Sequence, residues 1–289
     1  MMIHIVCAAA RVIKNISMDV RVRGVTSVDD ELYVLLWQRD NNQVAVYSIN
    51  DYQLLRHLNV PRYTPQDYSD MTSCARHKCL YMSDDDNRCI HRYELASSAS
   101  RPTLSAKIKR VVGSANKWSV PGTPIRLSVT PNCNLLVTCW GETNKLVEVN
   151  AASGQSVREI ALQRDIKSPW QSVQLTTGQF VVCHGGTYNS LHRVCVVGDD
   201  GKVTRSYGGE RGFDVGQLHY PRHLAVDKDS QFIFVADHHN DRVVLLSPTL
   251  ELVRYIERLS RPQRLYFHQA TRRLFVGQEH TRDVCVIQL

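Results

Sequence analysis

Five cysteine and histidine side chains near residue 80 are of the types that bind metal ions. They are Cys74, His77, Cys79, Cys89 and His91. A structural zinc site needs four such ligands converging on one point, at about 2.3 Å for sulfur. Cys74 and Cys79 flank a hairpin turn, and side chains alternate across a sheet, so some of the five must point to opposite faces. We therefore predict buried thiols and exposed histidines here, and no metal site.

A histidine followed by two glycines, His184-Gly185-Gly186, resembles the loop that forms an oxyanion hole in some acyl-transfer enzymes. The Gly-x-Ser-x-Gly turn that would carry the nucleophile is absent from the sequence, and so are phosphate-loop and dinucleotide-binding motifs. We therefore predict no catalytic residues and no cofactor.

Basic and aromatic side chains are interleaved along much of the chain, and the net charge is +7. Positive groups bind the phosphates of single-stranded RNA, and aromatic rings stack on its bases. Arginine, tryptophan and tyrosine also dominate the binding energy of protein–protein hot spots. The residue types thus predict a binding surface for either a protein target or single-stranded RNA.

Length and composition indicate one large folded domain. The chain has 289 residues, of which 43% are hydrophobic, and it has no low-complexity segment or flexible linker. Nine cysteines without a regular framework are typical of reduced thiols in the cytoplasm. No stretch approaches the ~18 apolar residues that cross a bilayer, and the opening Met1–Ala10 lacks a basic leader. We expect a cytoplasmic protein that does not associate with membranes.

Short apolar runs separated by tight polar turns recur along the whole chain. Six units align on one apolar residue each, namely Val34, Met82, Val137, Val182, Val235 and Val276. Their spacing of about 40 to 55 residues accommodates four short strands, which is the length of a propeller blade. We predict an all-β, six-bladed β-propeller without helices, with blades at residues 22–60, 68–113, 123–163, 169–208, 220–257, and 262–289 together with 10–18.

A second pattern supports the count, because a short motif with a basic central residue closes the units. It occurs around Arg56, Arg110, Arg158, Arg205 and Arg254. The sixth unit reaches Leu289 after only three strands, and the same motif occurs around Lys14, before the first unit. We therefore predict that Val12–Ile16 pairs beside Val284–Ile287 and closes the ring, which removes an exposed sheet edge.

The fifth unit resembles the NHL repeat. It contains Gly212-Phe213-Asp214, then Tyr220-Pro221-Arg222-His223-Leu224-Ala225-Val226-Asp227, then Val235-Ala236-Asp237-His238-His239-Asn240-Asp241-Arg242-Val243. The family pattern is G-x-F-x-x-P-x-G-I-A-V-D followed by V-A-D-x-x-N-x-R-I. The likeness is moderate in the sixth unit and thin in the first four. His223 occupies the glycine position, and we expect the Asp and Asn of the second motif to hydrogen-bond the tight loops.

The resemblance implies a function in recognition. NHL propellers are the target-recognition domains of tripartite-motif proteins, many of them ubiquitin ligases, and several bind RNA or proteins on the top face. The zinc modules that give those proteins ligase activity have no counterpart in this sequence. The chain would thus supply only the recognition part, and whether it belongs to a longer architecture is left open.

The loops that enter the inner strands of a propeller gather at one rim, where ligands are usually bound. The residues opening the inner strands are Gly24, Asp70, Arg126, Gln171, His223 and Arg264. We predict a ligand-binding top face centred on Arg126, Gln171, His223 and Arg264 and surrounded by Trp140, Trp170, Tyr220, Arg222, Arg242 and Arg261. The predicted function is non-enzymatic binding of a protein target. RNA binding is one alternative, and a hydrolase or lyase at the channel mouth, with His223 as its one suitably placed histidine, is the other.

Overall fold

A computed structural model describes residues 10–37, 43–60, 69–95, 115–186, 190–256 and 258–289. These residues form 24 strands, arranged as six antiparallel four-stranded sheets, and a single 3-10 turn at His238–Asn240. Because the inner strands of successive sheets contact one another around a common axis, the chain is a six-bladed β-propeller. The predicted all-β fold is confirmed.

The strands are numbered along the chain, and each blade is given from the axis outwards. Blade 1 comprises β2 (Val22–Val28), β3 (Glu31–Leu36), β4 (Gln43–Ser48) and β5 (Leu54–Asn59). Blade 2 comprises β6 (Met71–Cys74), β7 (Cys79–Asp84), β8 (Cys89–Glu94) and β9 (Ala115–Ser119). Blade 3 comprises β10 (Thr123–Val129), β11 (Leu135–Trp140), β12 (Lys145–Val149) and β13 (Ser156–Ala161). Blade 4 comprises β14 (Pro169–Gln174), β15 (Phe180–His184), β16 (His192–Val197) and β17 (Val203–Gly209). Blade 5 comprises β18 (Pro221–Val226), β19 (Ile233–Asp237), β20 (Arg242–Leu246) and β21 (Leu252–Ile256). Blade 6 comprises β22 (Pro262–His268), β23 (Arg273–Gln278), β24 (Asp283–Gln288) and β1 (Arg11–Ser17).

The hydrophobic core lies between the blades. The six alignment residues of the sequence repeat all fall on the second strand of a blade, and all are fully buried. Inner strands such as β2 are buried along their whole length, whereas the outer strand β1 is exposed except at Ile16 and is rich in polar residues. Burial of apolar side chains on both faces of each blade is therefore what holds neighbouring blades together.

The first strand of the chain closes the ring. β1 pairs with β24 in antiparallel register, with Val12 opposite Ile287 and Ile16 opposite Val284. Ile16 is buried in a cluster that includes Val22 of blade 1 and Val284 of blade 6. The predicted closure is confirmed.

The outer strand of blade 2 is β9, which lies beyond the predicted end of that blade at residue 113. The motif around Arg110 lies outside the described residues. Trp118 on β9 packs against Tyr81, with ring centroids 5.9 Å apart, and contacts Gly154 of blade 3. The basic motif thus located five outer strands, whereas the outer strand of blade 2 is β9.

Candidate functional site

Five of the inner strands begin with the same irregularity. The register with the second strand shifts between Val22 and Gly24, Pro124 and Arg126, Pro169 and Gln171, Pro221 and His223, and Pro262 and Arg264. Such a β-bulge bends the strand and redirects side chains. The residue after each bulge is the one that sequence analysis placed at the rim.

Four of these residues meet Asp70 of blade 2 at the propeller axis. We call Asp70, Arg126, Gln171, His223 and Arg264 the axial cluster. None of the five is more than 7% exposed. An oxygen of Asp70 in blade 2 lies 3.9 Å from His223 Nε2 in blade 5 and 3.5 Å from Arg264 Nε in blade 6. These side chains are therefore paired within the protein across the ring, and their predicted role in ligand binding stays a prediction.

Arg264 joins three blades. Its guanidinium donates to the backbone carbonyls of Arg23, Gln263 and Ser69, the last two at 2.8 and 3.1 Å. Buried guanidinium groups need several acceptors to offset the loss of water. These bonds fit a structural role for Arg264 as a cross-link.

Asp70 is the acceptor at the centre of the axial cluster. Its Oδ2 accepts the backbone N–H of Leu127 at 3.0 Å, and its own backbone N–H donates to Ser83 Oγ at 2.9 Å. Burial alone would raise the pKa of Asp70, but the nearby His223 and the charged arginines outweigh it and hold the pKa below its ordinary value. Asp70 is therefore a buried carboxylate that depends on its positive neighbours.

His223 is held in one orientation. The backbone N–H of Leu265 donates to His223 Nδ1 at 3.3 Å, so in the neutral ring the proton is on Nε2, the atom that faces Asp70. Burial lowers the pKa of His223. Gln171 likewise donates its side-chain amide to the carbonyl of Leu127 at 3.0 Å.

The two predicted tryptophans pack against each other, edge to face, with ring centroids 5.3 Å apart. Trp140 Nε1 donates to the carbonyl of Pro169 at 2.7 Å, and Trp170 Nε1 donates to that of Gly185 at 3.1 Å. The guanidinium groups of Arg126 and Arg222 lie 5.5 and 5.1 Å from the Trp170 ring centroid. Trp170 is buried by these contacts, and only Trp140 and Arg222 of this group retain partial exposure.

Arg242 is also buried. Its Nε donates to Asp237 Oδ2 at 2.8 Å, and the same carboxylate accepts from the Asn240 side chain at 2.7 Å and the His219 backbone at 2.7 Å. In blade 2, the Asn87 backbone donates to Asp84 in the same way, at 3.0 Å. Asp84 thus bonds the backbone of its own turn as predicted, whereas Asp237 and Asn240 bond the loop that enters blade 5, through His219 and Gly212. Arg242 belongs to the same structural unit.

A group of rings at the entrance to blade 5 was not recognised from the sequence, except for Tyr220. We define the ring cluster as His192, His219, Tyr220 and His239. Tyr220 and His239 lie 4.5 Å apart, His219 and His239 lie 4.8 Å apart, and the Tyr220 backbone donates to His192 Nδ1 at 2.9 Å. The loop beside this cluster carries Phe213, 70% exposed, and Val215, 78% exposed, with Phe213 against His219 at 5.4 Å.

The candidate zinc ligands divide into two groups. Cys74 contacts His77 at 3.3 Å, whereas His91 lies with Cys89 and with Asp84, which sequence reasoning had not grouped with them. His91 Nε2 is 2.8 Å from an oxygen of Asp84, whose carboxylate also binds Asn87. Since hydrogen bonds already engage this carboxylate, the group fits a loop brace better than a metal centre.

His184 is fully buried at the end of β15, so the resemblance to an oxyanion-hole loop is not supported. Arg193 Nε donates to His184 Nε2 at 3.2 Å, and Arg193 in turn pairs with Asp165 at 2.6 Å. Burial first, and then the charge of Arg193, lower the pKa of His184 to about 4.

This shift predicts a loss of stability in mild acid. In the unfolded chain His184 takes up a proton near pH 6.5, whereas the folded chain resists protonation down to about pH 4. Stability therefore falls as the pH falls through this window, by about 2 kcal/mol between pH 7 and pH 5 from this residue. Urea unfolding at pH 7 and pH 5 should show that His184→Gln reduces the difference in the free energy of unfolding between the two pH values by that amount. The exposed-strand control His57→Gln should leave it unchanged, and equal pH dependence in wild type and His184→Gln would contradict the assignment.

The chain is thus a six-bladed propeller with the axial cluster buried at its axis. It is similar to the solved structure of a hydrazine synthase from Kuenenia stuttgartiensis, with a TM-score of 0.66 and 13% identity over 96% of this chain and 86% of that one. It is also similar to that of a virginiamycin B lyase from Staphylococcus aureus, with a TM-score of 0.63 and 10% identity over 97% of this chain and 100% of that one. A third is the Cps50 (Swd1) β-propeller domain of Myceliophteria thermophila, with a TM-score of 0.56 and 10% identity over 97% of this chain and 100% of that one. At these identities the likeness shows the fold alone, and that fold occurs in enzymes and in other proteins.

No known family's sequence profile matches the chain, and no curated protein matches it. The NHL resemblance therefore stays a prediction. Within the described residues, no helix is long and apolar enough to span a membrane.

Proposed function

We propose that this propeller is a recognition module that binds a protein partner through the loops entering blades 5 and 6. The observation that carries the proposal is the exposure of Phe213 and Val215, two residues apart in one loop. Large apolar side chains that protrude beside other rings are typical of the anchors at protein interfaces. Water contact at these side chains would be lost when a partner covers them, which favours binding.

Basic groups surround this apolar loop. Arg211 and Arg261 are exposed, and Arg222 is partly exposed. Burial and the positive charges around it, including those of Arg222 and Arg261, lower the pKa of His239 to about 4, so these arginines lie close to the ring cluster. A partner that places an apolar side chain among Asp or Glu residues would match this surface in shape and charge.

The ring geometry supports a protein rather than single-stranded RNA. Base stacking needs open aromatic faces. Trp170 is buried beneath two guanidinium groups, and Tyr220 is occupied by His239 and by its hydroxyl bond to the Gly186 carbonyl at 3.0 Å. Phe213 is an exposed ring, but it offers a single stacking position beside the apolar Val215, whereas single-stranded RNA is bound by stacking successive bases on several rings.

As the finer part of the proposal, the partner is a substrate presented to a ubiquitin ligase whose catalytic modules reside in another protein. Only the resemblance of the fifth repeat to NHL propellers supports this part. Ubiquitination of a purified partner that depends on added propeller would support it, and ubiquitination unchanged without propeller would refute it.

A peptide-display selection tests the proposed surface. We expect wild-type protein to enrich peptides that combine an aromatic or branched aliphatic residue with neighbouring Asp or Glu. Phe213→Ser with Val215→Ser should weaken binding of a selected peptide at least tenfold, because the apolar anchor is lost. Val157→Ser, on an exposed outer strand, is the matched control and should bind as wild type does.

Two results would overturn the proposal. One is a set of selected peptides whose binding is unchanged by the double substitution. The other is tight binding of random single-stranded RNA with steep salt dependence and no peptide binding, which would assign the surface to RNA instead.

A further inference from the structure

A pocket beside the ring closure lies on the same face as the loops entering the inner strands. Its volume is about 160 Å³, and its lining residues are Arg21, Arg261, Glu279, His280 and Arg282. These residues come from three segments: the link between β1 and β2, the link between β21 and β22, and the turn between β23 and β24. The pocket therefore exists only when the chain ends have been brought together.

Backbone hydrogen bonds fix the pocket walls. The N–H of Met18 donates to the carbonyl of Arg282 at 2.9 Å, and the N–H of Glu279 donates to that of Arg261 at 3.0 Å. The carbonyl of Arg21 accepts the N–H of Trp37, also at 2.9 Å. The backbone positions of all three arginines are thus set without any ligand, so little ordering of the backbone would be needed on binding.

The charges in the pocket do not balance. Glu279 is engaged by His238 Nε2 at 2.6 Å and by Arg21 at 3.8 Å, and these contacts, the His238 bond first, lower its pKa to about 2. Among the described residues, the guanidinium groups of Arg261 and Arg282 have no hydrogen-bond acceptor, and both residues are exposed. The guanidinium groups of Arg261 and Arg282 therefore line a preformed pocket, and their N–H donors are available to bind a ligand.

From this arrangement we infer that the pocket binds a small oxyanion, a phosphate or carboxylate group, between Arg261 and Arg282. A guanidinium presents paired N–H donors that match two oxygens of such a group. A volume of about 160 Å³ is sufficient for a tetrahedral anion. The oxyanion can be free in solution or carried on another molecule. This site shares Arg261 with the proposed protein-binding surface but does not use Phe213 or Val215, so substitutions of those two residues distinguish the two sites.

Calorimetric titration with inorganic phosphate at low ionic strength tests the inference. We expect saturable heat with one site per chain, weakened at least tenfold in Arg282→Gln. Arg88→Gln is the matched control, because Arg88 occupies the same left-handed turn position in blade 2 (φ 48° against 54° for Arg282) and is exposed. The control should bind phosphate as wild type does.

Arg261→Gln provides a second test should Arg282→Gln unfold at lower urea concentration than wild type. A phosphoserine peptide of otherwise neutral sequence is the second probe. Tighter binding of the peptide than of phosphate would show that a carried oxyanion is preferred, and equal binding would show that the free ion suffices. Absence of saturable heat with both probes, or equal affinity in wild type and both variants, would overturn the inference. Phe213→Ser with Val215→Ser should still bind phosphate, which separates this site from the protein-binding surface.

Discussion

Replacing Asp70 by asparagine should lower the free energy of unfolding by about 3–5 kcal/mol, the cost of leaving buried charges without their partner. The Asp70 carboxylate is almost fully buried and faces Arg264 at 3.5 Å. Arg126 is equally buried, and burial, against the attraction of Asp70, lowers its pKa to about 10. Asparagine keeps the shape of the side chain but removes the negative charge that these groups need.

Equilibrium urea unfolding measures this effect. Asp200→Asn is the control, because Asp200 lies exposed in the turn between β16 and β17. Asp70→Asn combined with Arg126→Met should recover part of the loss, since it removes one of the uncompensated positive charges. A loss below about 1 kcal/mol for Asp70→Asn would show that the axial cluster does not depend on this carboxylate.

Ile16→Asp should destabilise the protein by at least about 3 kcal/mol, because it places a charge in the core at the closure of the ring. Ile16 is 6% exposed and packs in the cluster of Val22 and Val284. Val12→Asp is the control on the same strand, since Val12 is 49% exposed, and it should cost no more than about 0.5 kcal/mol.

Urea unfolding measures the loss of stability in the two variants, and light scattering at rising protein concentration measures whether an open ring associates. In Ile16→Asp, a detached β1 would expose the edge of β24, so scattering should rise with concentration. Equal stability of the two variants, with no added scattering, would be inconsistent with a ring that depends on this strand.

The fold could be predicted because each blade repeats one local pattern. Val34 and Val276 lie at the two ends of the chain, yet both follow the same alternation of strand and turn, and both are fully buried. Closure followed from counting strands, since blade 6 lacked one and the N-terminal segment supplied it. The outer strand of blade 2 is β9, and the contacts of its Trp118 with Tyr81 and with Gly154 of the next blade join segments that are distant in sequence and carry no local signal.

The candidate site was harder to predict because its contacts join distant segments. The sequence placed Asp70, Arg126, His223 and Arg264 at the openings of the inner strands, but it did not show that contacts across the ring would bury them. In the ring cluster, His192 and His239 belong to different blades and share no motif. Only the position of His238 and His239 at the two variable places of the second repeat motif of blade 5 could have drawn attention to that cluster.

The pairing of β1 with β24 also constrains how the protein is made. Arg11–Ser17 is synthesised before, and its partner Asp283–Gln288 after, every other described strand of the propeller. Until β24 has been synthesised the first strand has no partner, and the growing row of blades keeps an open end. The ring can close only after β24 has been synthesised, and closure joins segments separated by all the other blades, which is the slow class of contact. A nascent chain of this protein is thus exposed to misassembly until the last blade of its propeller has been synthesised.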